Sequence, residues 1–223
     1  ELGIKGSIVV NERMETSVPD IYAAGDAVQV KHYVTGNDAL ISLAGPANKQ
    51  GRIIADNICG GDSRYLGSQG SSVIKVFDMT AATTGINETN AKKSGLEVDT
   101  VILSPMSHAG YYPGGKVMTM KVVFEKETYR LLGAQIIGYE GVDKRIDVLA
   151  TAIHAGLKAT QLKDLDLAYA PPYSSAKDPV NMAGFMIDNI AKGTLKQWHL
   201  EDMDKISKDK SAVLLDVRTV DEF

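Results

Sequence analysis

Apolar residues recur along this chain with two different periods, and the change of period divides it. Ser7-Ile8-Val9-Val10 predicts a strand, and Ile21-Tyr22-Ala23-Ala24 a short buried strand that ends at Gly25-Asp26. From about Ser42 to Cys59 the period becomes helical. Ala44, Ala47, Gly51, Ile54, Ala55 and Ile58 recur at three- and four-residue steps until Gly60-Gly61 stops the helix. After a Gly/Ser stretch (67–72), strands are expected at 73–77, 79–84, 98–103, 116–125 and 129–138. Lys126-Glu127-Thr128 turns the last two into a hairpin, and 87–94 interrupts the series with a short helix closed by Gly95.

Helices then take over. Val142, Ile146, Leu149, Ala152 and Ile153 form one apolar stripe, with Gly156 as its C-cap. Thr160 can cap a shorter helix. Asp178-Pro179 is a good N-cap and first-turn pair for a helix carrying Val180, Ala183, Phe185-Met186-Ile187 and Ile190, closed by Gly193. From about Leu195 the chain is polar, a linker with a short helix, and Val213 to Val217 predicts a buried strand opening another domain. The order of elements implies an α+β class, with helices around an antiparallel sheet.

Composition narrows the function classes. Of 223 residues 44% are hydrophobic and 23% charged, with a net charge of −4 and no basic tract. That gives no push toward nucleic acid or an anionic membrane. No apolar run reaches bilayer length, so no membrane partner is expected. One cysteine, Cys59, excludes an internal disulfide framework and suits a reducing, cytoplasmic compartment. No metal-ligand spacing is present. The chain lacks a starting Met and its first ten residues look mid-domain, so it is expected to be a fragment.

The strongest motif is Thr16-Ser17-Val18-Pro19-Asp20-Ile21-Tyr22-Ala23-Ala24-Gly25-Asp26-Ala27. A strand running into Gly-Asp puts a close-approach glycine and a carboxylate where α/β folds bind ligands. The carboxylate can accept hydrogen bonds from sugar-alcohol hydroxyls. This segment resembles the second FAD-contact motif of flavoproteins with two dinucleotide-binding domains, with Thr16 or Ser17 as its start. Leu43-Ala44-Gly45-Pro46-Ala47-Asn48 resembles the start of the helix beneath the flavin ring, whose free N–H groups and dipole suit negative charge on the flavin. The resemblance assigns cofactor contact to Gly25, Asp26, Ala27, Leu43 and Ala44. The Gly-x-Gly-x-x-Gly fingerprint is absent, as expected if both copies lie upstream.

Residues from about Ser72 to Leu195 resemble the dimerisation domain of the pyridine nucleotide–disulfide oxidoreductases, most of all coenzyme A disulfide reductase and its relatives. Two clusters carry that likeness: His108-Ala109-Gly110-Tyr111-Tyr112-Pro113-Gly114 and Ala168-Tyr169-Ala170-Pro171-Pro172-Tyr173-Ser174. Taken alone, tyrosines beside Gly and Pro are ordinary loop anchors. The resemblance gives Tyr111 and Tyr169 a catalytic role, reaching across a homodimer to the partner's substrate disulfide, with Tyr112 and Tyr173 as alternatives. A phenol can hydrogen-bond a leaving thiolate or supply its proton.

The chain departs from glutathione-reductase-type relatives in having no His-Pro pair. His154 lies on the amphipathic helix, where a packed or interfacial histidine is expected rather than a base. The departure points to the branch that works through a single cysteine in a preceding domain. Cys59 is not that cysteine; a small semi-buried packing residue is expected there. Leu214 to Phe223 resembles the opening of a rhodanese-like domain.

The implied layout is the end of an FAD-binding domain (1–66), a dimerisation domain (67–195), then a linker and the start of a rhodanese-like domain (196–223). The implied reaction passes electrons from NAD(P)H through FAD and a cysteine outside this chain to coenzyme A disulfide or persulfide. NADH oxidase or peroxidase chemistry on the same fold, or an inactive isolated dimerisation module, are the alternatives.

Overall fold

The computed structural model describes residues 1–213 and 215–220. They form two compact units, Glu1–Asp188 and a second beginning at Asn189. The first unit holds two sheets. In the smaller, β1 (Ile8–Val9) lies parallel to β2 (Val28–Lys31), which pairs antiparallel with β3 (Asp38–Ala39). Met14, Val28, Val30 and Tyr65 are its buried centre, with Ile8, Val10, Ile53 and Ile54 packed around them.

The strand expected at 21–24 is only a single bridge, Glu15 to Tyr22, and Ile21 is exposed. The cause is local. Asp20 sits at φ 64°, so the chain doubles back and the Thr16 N–H reaches the Ile21 carbonyl at 2.9 Å. Too few residues remain between that turn and Gly25 to extend a ladder.

Helix α1 (Ala44–Ile58) forms where the period predicts it, but it packs differently. Its buried residues are polar, Gln50 and Asn57, whereas Ala44, Gly51, Ala55 and Ile58 are exposed. Asn57 explains the inversion. Its amide donates to the carbonyls of Arg13 (3.1 Å) and Ser63 (3.0 Å), and its oxygen accepts from the Ser63 N–H at 2.8 Å. A side chain satisfied on both ends can be buried without the cost of a stranded polar group. Cys59 is exposed rather than semi-buried, because it caps α1 just before Gly60 turns the chain at φ 88°.

The larger sheet is fully antiparallel, in the order β4 (Ser72–Val76), β5 (Met79–Gly85), β8 (Leu131–Gly138), β7 (Met118–Glu125), β6 (Val98–Leu103). Helix α2 (Glu88–Lys93) fills the β5–β6 connection, and the Asn87 side chain caps it by accepting from the Asn90 N–H. Helix α3 (Val142–His154) covers one sheet face, burying Val142, Ile146, Leu149, Ala152 and Ile153. Beneath it lie Met120, Val122, Leu132 and Ala134, none of them solvent-exposed. The stretch around Thr160 is a 3-10 turn (Ala159–Asp164) starting at Lys158, whose N–H donates to Gln161.

Helix α4 (Pro179–Ala191) begins at the expected cap: Asp178 Oδ1 accepts from the Val180 N–H at 3.0 Å. It carries Val180, Ala183 and Ile187 into the core.

Gly133 in β8 sits at one of the tightest backbone approaches in this core. A Cβ there would sit 2.0 Å from the Ile86 carbonyl oxygen, a backbone atom that cannot swing away. Gly133→Ala is expected to destabilise the unit by about 3 kcal/mol. Urea melts of the two proteins check this; equal midpoints would contradict it.

Among the described residues no helix lies over the opposite face of the sheet. Ile74, Ala81 and Ile137 align across β4, β5 and β8, with Thr83 and Gln135 beside them. Ile74, Val76, Phe77 and Ile137 are all exposed, an apolar surface larger than scattered surface residues make.

In the second unit, Leu200–Asp202 forms a 3-10 turn and α5 (Met203–Ile206) one short helix. The strand expected at 213–217 does not form among the described residues: Val213, Leu215 and Val217 are exposed and unpaired in any ladder. An apolar run becomes a buried strand only when a neighbouring strand takes up its backbone groups. Leu214 and residues 221–223 of the rhodanese-like motif lie outside the described residues.

Candidate active site

Two loops at one end of the larger sheet carry the tyrosines. The first joins β6 to β7; its base, Ser107 to Ala109, is buried and its tip, Gly110 to Gly114, is exposed. The second runs from the 3-10 turn to α4, and its Ser174 and Asp178 are buried. The Ala109 N–H donates to the Ser174 carbonyl at 3.0 Å and ties the loops together.

Above that tie the hydroxyls of Tyr111 and Tyr169 meet at 2.7 Å, although 58 positions separate them in the chain. Both rings face solvent, at 76% and 45% exposure. One phenol donates and the other accepts, so the acceptor's own O–H remains available to a third group. The hydrogen bond to Tyr111, helped by partial burial, raises the Tyr169 pKa above the ordinary phenol value and keeps it in the proton-donating form.

The other two tyrosines take different places. The Tyr112 ring packs edge-on against His108, 5.7 Å between centroids, and Tyr173 is exposed. His154 stacks on Tyr33 at 5.1 Å, and the Tyr33 hydroxyl donates to the His154 carbonyl. His154 is thus an exposed histidine packed against Tyr33.

Under the two loops lies a group that the apolar periodicity did not single out. Arg145, on the buried face of α3, is 1% exposed and bonds to Asp178, Ser174 and three carbonyls. Burial opposes ionisation of Asp178, but the Ser174 hydroxyl, the Val180 N–H and the Arg145 guanidinium outweigh it. Together they hold the carboxyl below the usual range. A charge at step three from Val142 and step four from Leu149 was a visible anomaly in the sequence.

The predicted cofactor residues form a second cluster. Gly25–Ala27 is a single 3-10 turn against α1, with Asp26 and Ala27 exposed. Leu43 is the N-cap of α1 and Ala44 its first residue. No side chain caps that helix end and no acid stands in its first turn, so its N–H dipoles face outward unopposed. Gly25 takes φ 77°, with a notional Cβ only 3.8 Å from that of Ala47. Its N–H donates to Gln50 Oε1 at 2.7 Å. Gln50, 1% exposed, is therefore the residue that fixes the Gly-Asp turn onto the helix, and no local sequence pattern marks it. A left-handed glycine turn, an exposed carboxylate and an anion-favouring helix end fit a dinucleotide carrying ribityl hydroxyls and a flavin ring.

Among the described residues no three His, Cys, Asp or Glu side chains gather where they could hold a metal ion, and no helix is long and apolar enough to cross a membrane.

Known proteins resemble this chain over most of its length. Residues 1–51 match the family model described as pyridine nucleotide-disulphide oxidoreductase, and residues 71–179 match that family's dimerisation domain. The chain belongs to the pyridine nucleotide-disulphide oxidoreductases. It is 40% identical over 179 residues to the NAD(P)H sulfur oxidoreductase (CoA-dependent) of Pyrococcus abyssi, covering 80% of this chain and 40% of that protein. It is 37% identical over 185 residues to the coenzyme A disulfide reductase of Staphylococcus epidermidis, covering 82% and 42%. Among solved structures, reduced Bacillus anthracis CoADR-RHD superposes with a TM-score of 0.90 at 50% identity, covering 93% of this chain and 38% of that one. The chain thus spans about two fifths of the length of the curated relatives it matches, 40% and 42%.

Proposed function

We propose that this chain is part of a homodimeric flavoprotein that uses NAD(P)H to reduce coenzyme A disulfide or a coenzyme A persulfide. The observation that carries the reading is the 2.7 Å contact between Tyr111 and Tyr169 at the exposed tip of two tethered loops. The names of the Pyrococcus and Staphylococcus relatives support the substrate class.

FAD would be held by Gly25, Asp26 and Ala27 and by the α1 start at Leu43 and Ala44. When bound, it would supply two-electron transfer between the nicotinamide and a cysteine thiol. Asp26 would accept hydrogen bonds from sugar-alcohol hydroxyls, and the N–H groups at the start of α1 would face negative charge.

The tyrosine pair would serve the partner subunit's substrate pocket. As a thiolate displaces one sulfur of the disulfide, the departing sulfur takes up charge. The free O–H of the pair would donate to that sulfur and deliver its proton, while the second phenol would stabilise the phenolate left behind. The open face around Ile74, Ala81 and Ile137 would be the surface buried in the homodimer. The domain limits 1–66, 67–195 and 196–223, the last leading into a rhodanese-like module, belong to the same reading, as does a cytoplasmic location.

A direct test follows NADH oxidation by the full-length protein without oxygen, with coenzyme A disulfide or persulfide as the acceptor. Turnover supports the reading. Turnover only with oxygen or peroxide would move the protein to the oxidase and peroxidase branch.

The cofactor assignment has its own test. Gly25→Val would force a β-branched residue into the left-handed region, a cost of about 1–3 kcal/mol taken where the ligand sits. Flavin absorbance after gel filtration is expected to fall about tenfold. Full retention would remove Gly25 from the site.

A further inference from the structure

The Arg145 guanidinium directs its donors at both tyrosine loops. Its Nη2 group reaches the Ser107 carbonyl at 2.9 Å, at the base of the Tyr111 loop. The same nitrogen reaches the Tyr173 carbonyl (3.3 Å), Ser174 Oγ (3.1 Å) and Asp178 Oδ2 (2.9 Å) at the end of the Tyr169 loop. Its Nε lies 3.2 Å from Asp178 Oδ2, and Nη1 donates to the Gly141 carbonyl at 3.2 Å. Ser174 Oγ in turn donates to Asp178 Oδ2 at 2.6 Å. Gly141 leaves room for the fork, since a Cβ there would stand 2.0 Å from Nη1.

We propose that Arg145, fixed by Asp178 and Ser174, is the positioning residue that holds the two loops in the one register at which the Tyr111 and Tyr169 hydroxyls meet. The proposal rests on the reading of the tyrosine pair as the proton donor. The helix face needs no charge there for packing: Val142, Ile146 and Leu149 around it are apolar and buried. A buried ion pair with apolar neighbours is weak evidence for stability, and its best-attested use is to specify one arrangement. The planar fork of arginine spreads donors in fixed directions onto the Ser107, Tyr173 and Gly141 carbonyls and the Asp178 carboxylate at once, whereas a lysine ammonium carries its three donors on one nitrogen.

The test uses the full-length flavoprotein and coenzyme A disulfide. Arg145→Lys, Ser174→Ala and the Tyr111→Phe/Tyr169→Phe pair are made singly and in combination, and each is checked for flavin content and circular dichroism. Arg145→Lys is expected to lower kcat about tenfold or more with KM for NADH unchanged, since small misplacements of a reacting group cost that much. In the protein lacking both phenols the same substitution is expected to cost less than about twofold, because groups that act through one another are not additive. An equal loss in both backgrounds, or no loss in either, overturns the proposal. Should Arg145→Lys fail to fold, Ser174→Ala is held to the same comparison.

Should the phenylalanine pair itself keep full turnover, the reading of the tyrosines fails. The hub is then judged by phenolate absorbance, comparing each protein with its Tyr169→Phe counterpart. A Tyr169 titration that returns to the ordinary value in the Arg145 or Ser174 variant supports the hub, and an unmoved titration overturns it.

Discussion

Replacing Tyr111 and Tyr169 together by Phe is expected to lower kcat for coenzyme A disulfide by about 100-fold or more, the lower range for losing a positioned proton donor. The substitution removes two oxygens and leaves the rings, so folding and flavin content are expected to stay as they were. Each single variant is expected to lose nearly as much as the double. The phenols are hydrogen-bonded to one another at 2.7 Å, and a pair that works as one unit is disabled by the loss of either member. Steady-state kinetics under anaerobic conditions check this, with reduction of the flavin by NADH as the internal control. If both singles are mild and the double is their product, the two phenols act separately.

The second large effect concerns assembly. Ile74 and Ile137 lie on either side of Ala81 on the open sheet face, and both are exposed within one chain. Ile74→Lys with Ile137→Lys would place charges where the proposed homodimer excludes water. Each isoleucine contributes about 1.5–3 kcal/mol when buried, and two-fold symmetry counts every change twice. The dissociation constant is therefore expected to rise by about 1,000-fold or more. Sedimentation at micromolar concentration is expected to show monomers that still accept electrons from NADH but no longer reduce the disulfide. A variant that remains dimeric would place the interface elsewhere.

What the sequence revealed, and what it hid, follows from how far each interaction reaches. The Asp178-Pro179 cap, the short helix near 87–94 and the 126–128 hairpin were legible because each is made by residues within a few positions of one another. The helix over 44–58 was legible as a helix, but not its buried face. Gln50 and Asn57 face inward because their partners, Gly25, Arg13 and Ser63, come from elsewhere in the chain.

The tyrosine loops were marked by their flanking residues, whereas the meeting of the two hydroxyls depends on Arg145 gripping backbone carbonyls, which leave no trace in a pattern of side chains. The run at 213–217 shows the converse. Its residues are apolar enough for a strand, yet those described pair with none.

The central claim, a tyrosine pair that completes the partner's active site, has one decisive measurement. Protomers of the full-length protein carrying Tyr111→Phe and Tyr169→Phe are mixed with protomers lacking the catalytic cysteine. The subunits are exchanged, and anaerobic reduction of coenzyme A disulfide is followed. The parent dimer without phenols keeps about a hundredth of the activity or less, and the one without the cysteine keeps none. In the hybrid, one site combines an intact cysteine with the other subunit's intact tyrosines, so the account predicts that activity returns. A hybrid as inactive as its parents would mean that the tyrosines serve their own subunit, and would contradict it.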